Sequence, residues 1–500
     1  MKNGTLLAAI DLGSNSFRLE ICRYNNGLFQ RYEYLKEAVR QGSGLDNNRN
    51  LDLASMQKGW DCLSRFAEKL AGFDPSRVRA VATQTLREAR NAQEFLDKAN
   101  HILGFPIEVV SGREEARLIY QGVAQLLPSS SEKRLVVDIG GRSTEFIIGE
   151  NKTALALESY RIGSVSSSLK HFASGEFSHA AFEQAEVAAK AILEEALPVF
   201  GKHAWQMAYG SSGTVSAVSE ALVQAGWPAD CITREGVEWL KSQLIRVGHV
   251  DRLRLEGLKE ERRAVIGGGL SVLSALIDLF DIQSLWVTPG ALRHGVLHDL
   301  LNREDETKDI RAVTVSGLRK TYQADAAQAL RVSKWSLEFL KTLLPAQIPE
   351  GLRRRLENKL KWAAHLHEIG HLISHTDGHK HGAYILENTD TPGFARHELQ
   401  RLSQLVLGQK GKLRKLEVDL EDDHLVCQLL SLRMAVILCH ARRDPESGSV
   451  WLERVHDQPR TIWVRLKPLW SKRFPQSHHL LQQEVLAWQK TSWKLVIAED

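Results

Sequence analysis

The sequence predicts an α/β protein over roughly its first 300 residues, an all-helical part after them and a small β-containing tail. Three observations carry this. Strand-like and helix-like segments alternate up to about residue 300. One strand, turn, strand pattern occurs twice within that stretch. The composition also shifts near residue 305: Lys and Arg number 36 against 40 Asp and Glu up to residue 310, and 29 against 21 after it, net −4 and +8, with 12 of the 19 histidines in the later part.

The chain leads from Met1-Lys2-Asn3-Gly4-Thr5 straight into a strand, with no cleavable apolar segment, and no run approaches the length that crosses a bilayer. A cytoplasmic protein is expected, with peripheral membrane association left open. The first copy of the repeated pattern, Ala9-Ile10-Asp11-Leu12-Gly13-Ser14-Asn15-Ser16-Phe17-Arg18-Leu19-Glu20-Ile21, aligns without a gap on Val136-Val137-Asp138-Ile139-Gly140-Gly141-Arg142-Ser143-Thr144-Glu145-Phe146-Ile147-Ile148. One such turn would be an ordinary hairpin. Two matched copies read as phosphate loops, in which small residues let backbone N–H groups converge on an anion and an Asp at the strand end can hold a hydrated divalent cation.

Between the copies the pattern predicts a helix over Leu53 to Ala71, a strand over Arg79 to Thr83, a helix over Ala92 to Leu103 and a strand over Pro106 to Val110. Thr83 and Arg87 stand at a strand end, where Arg87 is placed to clamp a phosphate chain. Ser111-Gly112 turns the chain into a helix predicted over Glu114 to Leu126, with Glu114 and Glu115 in its first turn. Acidic residues there serve the helix dipole, yet the end of a strand is also where α/β proteins place catalytic groups, and a carboxylate could orient water. After a strand over Arg134 to Asp138 come a helix over Ala180 to Phe200 and a strand over Gln206 to Tyr209; Gly210-Ser211-Ser212-Gly213-Thr214 then turns into a helix and offers N–H groups to another phosphate oxygen. Arg262-Arg263 precedes three glycines in an apolar run, and a strand over Ser284 to Thr288 closes the mixed part. Helices run to about His440, followed by strands over Thr461 to Leu466 and Trp493 to Ile497.

Five hundred residues exceed one compact core, so two to four domains are expected. The limits drawn are 1–125, 126–305, 306–440 and 441–500. The five cysteines, Cys22, Cys62, Cys231, Cys427 and Cys439, are scattered and odd in number, which argues against a disulfide framework or a zinc ribbon.

The ordered set Asp11 to Ser16, Ala82 to Arg87, Ser111 to Leu118, Asp138 to Gly141, Ser143 to Glu145 and Gly210 to Thr214 resembles the exopolyphosphatase and guanosine pentaphosphate phosphohydrolase (Ppx/GppA) family, in its long form. Leu366 to Gly370 and His381 to Leu386 resemble that family's helical third domain. The resemblance implies an actin-like (ribonuclease H-like) two-domain core, an all-helical HD-like domain and a small C-terminal α+β domain. It also implies roles: Glu115, with Glu114 beside it, as catalytic carboxylate; Asp138 and Glu145 as metal-associated acids; and Gly13, Ser14, Asn15, Ser16, Gly140, Gly141, Arg142 and Ser143 as phosphate-binding turns. To these the reading of the residues adds Asp11 as a further metal-associated acid, and Arg18, Arg87, Thr144, Gly210, Ser211, Ser212 and Gly213 as further phosphate-binding residues. Mg²⁺, with a monovalent cation such as K⁺ in addition, is the implied cofactor.

The chain departs from the family pattern at Arg142, where a third glycine is usual, at His294, usually acidic, and at Pro289, often Asp. Arg142 either lies on the surface or points into the cleft. The HD pair reads His367-Glu368, so the cluster His365, His367, His371, His375, His379 and His381 is read as a degenerate, metal-free domain. Two basic groups, Arg353, Arg354, Arg355, Lys359 and Lys361, and Lys410, Lys412, Arg414 and Lys415, are either solvated helix faces or a path for a polyanion.

The reading reached is an Mg²⁺-dependent exopolyphosphatase, with guanosine pentaphosphate (pppGpp) hydrolysis, or both activities, as the alternative. A sugar or acetate kinase and a non-catalytic nucleotide sensor are remote alternatives. Inorganic polyphosphate, with pppGpp or ppGpp as a further ligand, is the expected partner in a homodimer that binds no nucleic acid.

Overall fold

The computed structural model describes residues 2–303, 308–389, 391–413, 416, 419–455 and 458–499. Arg414 and Lys415 of the second basic group, and residues 304–307 of the boundary stretch, lie outside them. The chain forms two compact units, Met1–Asp309 with Asp390–Ala395, and Ile310–Thr389 with Arg396–Asp500.

The first unit holds two mixed sheets. One contains β1 (Thr5–Leu12), β2 (Phe17–Asn25), β3 (Leu28–Glu37), β4 (Val78–Ala82) and β5 (Ile107–Val109), in the order β3-β2-β1-β4-β5. The other contains β6 (Arg134–Ile139), β7 (Thr144–Glu150), β8 (Thr153–Tyr160), β9 (Met207–Ser211), β10 (Cys231–Thr233) and β11 (Ser284–Val287), in the order β10-β11-β9-β6-β7-β8. In each, an antiparallel meander (β1-β2-β3, β6-β7-β8) is extended by parallel strands beside its first member (β4 and β5, β9 and β11). The repeated motif is thus the visible part of a repeated half-fold, with β10 added at one edge. Both first strands are apolar and buried, as central strands covered on two faces must be.

Helices cover the sheets. Leu53–Lys69 and Ala92–Leu103 bury Trp60, Phe66 and Phe95 against the first sheet. Ile266–Leu279, apolar on all sides, lies inside the core of the second sheet. Gly112–Ala124 and Leu292–Asn302 share a third apolar cluster, in which Val81 and Val136 of the two sheets meet Leu118, Ile119, Val296 and Leu297. That cluster fixes the two half-folds to one another, so the turns at their strand ends face a common cleft.

The second unit is helical from Ile310–Thr321 to Asp423–Leu438 and ends in a three-stranded sheet, β12 (Val450–Arg454), β13 (Thr461–Leu466) and β14 (Lys494–Glu499). A buried ion pair from Arg433 to Glu484, whose Oε1 also accepts the Trp488 indole N–H, ties the tail helix Pro475–Trp488 to the helical body. All five cysteines are unpaired. Among the described residues no helix is long and apolar enough to cross a membrane.

Candidate active site

The cleft is built from the two hairpin turns. Across β1 and β2, Asp11 lies opposite Arg18; across β6 and β7, Asp138 lies opposite Glu145. Directly opposed residues share a face of the sheet, so each turn carries a charged pair behind it. In the first, Arg18 Nη1 donates to Asp11 Oδ2 at 3.0 Å. In the second, the place of the arginine is taken by a second acid. The turns come close together: a Cβ on Gly141 would stand 2.8 Å from Ser14 Cβ, so only glycine fits there.

The cavity measures about 400 Å³ and is lined by Gly13 to Ser16, Arg18, Gly140, Gly141, Ser143, Ser212 and Gly213, together with Asp11, Asp138 and Glu115. Ser212 opens the helix Ser212–Gln224 with φ 101, a conformation costly for a side chain, and its Oγ accepts from the N–H groups of Thr214 and Val215. Five cations also line the cavity: Arg18, Lys36, Lys259, Arg262 and Arg293. Arg262 is 8 % exposed, packs on Gly213 and forms no ion pair among the described residues. Burial and the neighbouring Arg18 pull its guanidinium down to about 10. The charges of Glu261 and Glu220 oppose that pull without closing an ion pair, so a ligand's negative charge would complete the compensation.

The acids behave in the opposite sense. Burial raises the Glu115 carboxyl to about 7, against the pull of Arg87, whose Nη1 donates to Glu115 Oε2 at 2.9 Å, and with a push from Asp11 and Asp138. Burial likewise raises Asp138 to about 6, countered by Ser211 and Arg18. Glu145 is raised well above its ordinary value by burial and by the charges of Glu115 and Asp138. Its Oε1 accepts from Ser159 Oγ at 2.8 Å, whereas its Oε2 is buried with no hydrogen-bond partner. An orphaned carboxylate oxygen beside a second acid suits a hard divalent cation. Among the described residues no three acids, histidines or cysteines form a ready cage, but Mg²⁺ keeps several waters and shares substrate oxygens, so one or two carboxylates suffice.

Several residues expected at the phosphates do other work. Glu114 turns to the far side of its helix, fully buried, where Arg117 grips both its oxygens at 2.7 and 2.8 Å, Arg79 stands 3.7 Å away and the Gly393 N–H donates at 2.8 Å. Asp299 pairs with Arg79 and Arg117 at 2.6 Å in the same network, and Arg303 joins Asp299 at 2.9 Å. Glu114 is therefore part of a buried brace rather than of the cleft wall. Arg87 is spent on Glu115, the Val110 carbonyl and Gln84. Thr144 donates to the Ile162 carbonyl, and Ser211 to that of Gly290. Neither they nor Gly210 line the cavity.

Four cationic lining residues, Lys36, Lys259, Arg262 and Arg293, have no assigned role in the sequence reading. Arg262 stands beside the glycine run that drew attention there, and an Arg pair ahead of a helix reads as a solvated end. Arg293 is set in place by buried Glu20, which also accepts from Arg31 at 3.0 Å; nothing in the spacing of residues 20 and 293 announces that contact.

The Ppx/GppA phosphatase family matches residues 20–304, and that family's domain III matches residues 310–487. The chain belongs to the Ppx/GppA phosphatase family. A protein of Aeromonas salmonicida named guanosine-5'-triphosphate,3'-diphosphate pyrophosphatase is 37 % identical over 506 residues, covering 100 % of both chains. One of the same name from Vibrio vulnificus is 37 % identical over 502 residues, 99 % of this chain and 98 % of that one. Among solved structures, an exopolyphosphatase from Cytophaga hutchinsonii superposes with TM-score 0.53 at 25 % identity, covering 60 % of this chain and 98 % of that one. The Aquifex aeolicus family member does so with TM-score 0.50 at 24 % identity, over 60 % and 99 %, a likeness of fold. The core is an α/β actin-like fold, and the protein is a phosphoanhydride hydrolase.

Two of the three residues by which this Ppx/GppA phosphatase departs from the family pattern make structural contacts. Arg142 neither points at phosphate nor lies free on the surface: it donates to Glu88 Oε2 at 3.1 Å and to the Gly42 carbonyl at 3.0 Å, joining the second turn to the first half-fold. His294 Nδ1 accepts the Ala291 N–H at 3.1 Å and caps the helix Leu292–Asn302. Pro289 lines the cleft. In the second unit, Glu368 pairs with Arg442 and His367 is buried with its Nδ1–H donated to the Ala364 carbonyl. The first basic group lies on the helix Glu350–Leu366, where Arg353 donates to the Pro345 carbonyl.

Proposed function

We propose that this phosphatase removes the terminal 5'-phosphate of guanosine pentaphosphate to leave the tetraphosphate. The observation that carries the reaction is the cleft itself: two apposed phosphate turns, five cations and, at its floor, Glu115 held in place by Arg87. The choice of substrate rests on the full-length relatives named for guanosine-5'-triphosphate,3'-diphosphate, which favours the nucleotide over the inorganic polyphosphate that the sequence reading placed first. Polyphosphate remains a second substrate within this proposal, as do a homodimer and a cytoplasmic location.

The turns Gly13–Ser16 and Gly140–Ser143 bind the phosphate chain through backbone N–H groups. Arg262, Arg293 and Lys36 take up its charge. Glu115, raised towards neutrality by burial, accepts a proton from a water and aligns it for attack on the terminal phosphorus. Asp138 and Glu145 would hold Mg²⁺, with Asp11 behind the first turn. Bound there, the ion neutralises charge on phosphate oxygens.

At equal concentrations of terminal phosphate, kcat/KM for pppGpp is expected to exceed that for long polyphosphate. Faster release from polyphosphate would overturn the choice. Asp138→Asn and Glu145→Gln should each raise the Mg²⁺ concentration for half-maximal activity by roughly tenfold or more, read from phosphate release over a magnesium titration. An unchanged requirement in both removes these residues from the metal.

A further inference from the structure

Next to the catalytic cleft, on the second half-fold alone, lies a recess of about 710 Å³ whose walls include Glu220, Val223, Gln224, Gly257, Leu258 and Lys259. Glu220 and Lys259 line the cleft as well, so the two spaces adjoin. The helix Ser212–Gln224 runs through both. Ser212, Ser216 and Glu220 follow at intervals of four, and Val223 and Gln224 continue the same face. At 1.5 Å per residue, Glu220 stands about 12 Å along the helix from Ser212, which lines the cleft beside the phosphate turns. That is the reach of an extended nucleoside triphosphate from its terminal phosphorus to its base.

The recess is built rather than incidental. Gly257, at φ +80, presses on the helix so closely that a Cβ would lie 2.3 Å from the Glu220 carbonyl oxygen. This fixes the following residues: Leu258 is 5 % exposed, and Lys259 Nζ stands 3.8 Å from Glu220 Oε2. Buried Leu258 and half-buried Val223 supply the apolar part of the recess, which is bordered by one carboxylate and one carboxamide, Gln224. A carboxylate only accepts hydrogen bonds, and two adjacent acceptor oxygens match the N1–H and N2–H donors of guanine. Adenine presents an acceptor at N1 and would leave that carboxylate facing a lone pair.

We propose that this recess is a base subsite and that Glu220 reads the Watson–Crick edge of guanine, making it the residue that separates a guanine nucleotide from a base-free phosphate chain. The inference rests on the proposed pppGpp hydrolysis and names the part of the molecule that recognises the base. Lys259 releases Glu220 to the base and turns to the phosphates of the same ligand.

The test compares wild-type and Glu220→Gln full-length protein on pppGpp, its adenine counterpart pppApp and inorganic tripolyphosphate. Glutamine keeps the shape and the helix but puts an N–H₂ where the second acceptor stood. The ratio of kcat/KM for pppGpp over tripolyphosphate should fall roughly ten- to hundredfold, and the preference for pppGpp over pppApp should disappear. Calorimetric binding of ppGpp, the product, is measured alongside. Unchanged ratios in Glu220→Gln, with wild-type hydrolysis of pppGpp intact, overturn the base subsite and leave the proposed function standing. If the wild type hydrolyses no pppGpp yet binds ppGpp in a Glu220-dependent way, the function falls and the subsite stands; if that binding ignores Glu220, the subsite falls too.

Discussion

Replacing Glu115 by Gln should lower kcat by roughly 10² to 10⁴ while leaving KM within a few-fold of the parent. The side chain keeps its size and its bond from Arg87, but it no longer accepts a proton. Steady-state phosphate release gives both constants, and near-parental kcat would end the assignment. The same variant has a second expected property. In the folded metal-free protein the carboxyl titrates near 7 against an ordinary 4.5, because burial disfavours its charge. Below about pH 4.5 it is neutral whether the chain is folded or not. As the pH rises from 4.5 to 7 the unfolded chain ionises first, so folded stability falls through that window and stays lower above it. Glu115→Gln removes this penalty, and its melting temperature at pH 8 in a chelator should exceed the parent's, with the gap closing towards pH 4.5.

Its neighbour should behave in the opposite way. Glu114→Ala takes the carboxylate from a buried brace and leaves Arg117 and Arg79 short of a counter-charge, for a loss of about 3–5 kcal/mol. Urea unfolding followed by tryptophan fluorescence measures it. A loss under about 1 kcal/mol would mean that the brace tolerates the gap. Glu114→Gln keeps the acceptor for Gly393 and should fall between the two. Of these two adjacent acids one faces the cleft and the other a buried brace, which shows how far the side of a helix decides a side chain's surroundings.

Much of the core could be read from the chain because the informative features are local. The two turns, the strands that carry them and the helices beside them follow from apolar runs and small residues, and β4, β5 and β6 start and stop within a residue or two of expectation. Strand β12 is not anticipated because Trp451, apolar but on the exposed face, hides the alternation of Val450-Trp451-Leu452-Glu453-Arg454. The turns at Gly13–Ser16 and Gly140–Ser143 are legible as a pair, since each resembles the other, and both line the cavity. What local reading could not supply is which way a side chain faces once the halves meet. Arg87 and Arg142 carry the right charge at the right turns, yet Glu115 and Glu88 capture them. Arg262 and Glu220 lie 42 positions apart in the sequence, yet both line the one cavity.

The brace around Glu114 also sets a timetable. Its members are born far apart on the ribosome: Asp299 follows Arg117 by 182 residues, and the Gly393 N–H follows Glu114 by 279. At elongation rates of about 5–20 residues per second, Gly393 emerges roughly 15–55 s after Glu114. Until residue 299 has emerged, Arg79 and Arg117 lack one of their acids, and until residue 393 has emerged Glu114 lacks the backbone N–H that completes its hydrogen bonds. A chain released early, or cut before residue 391, therefore lacks a piece of its own foundation, and arrested nascent chains of increasing length should turn protease-resistant only once residue 395 has cleared the exit tunnel.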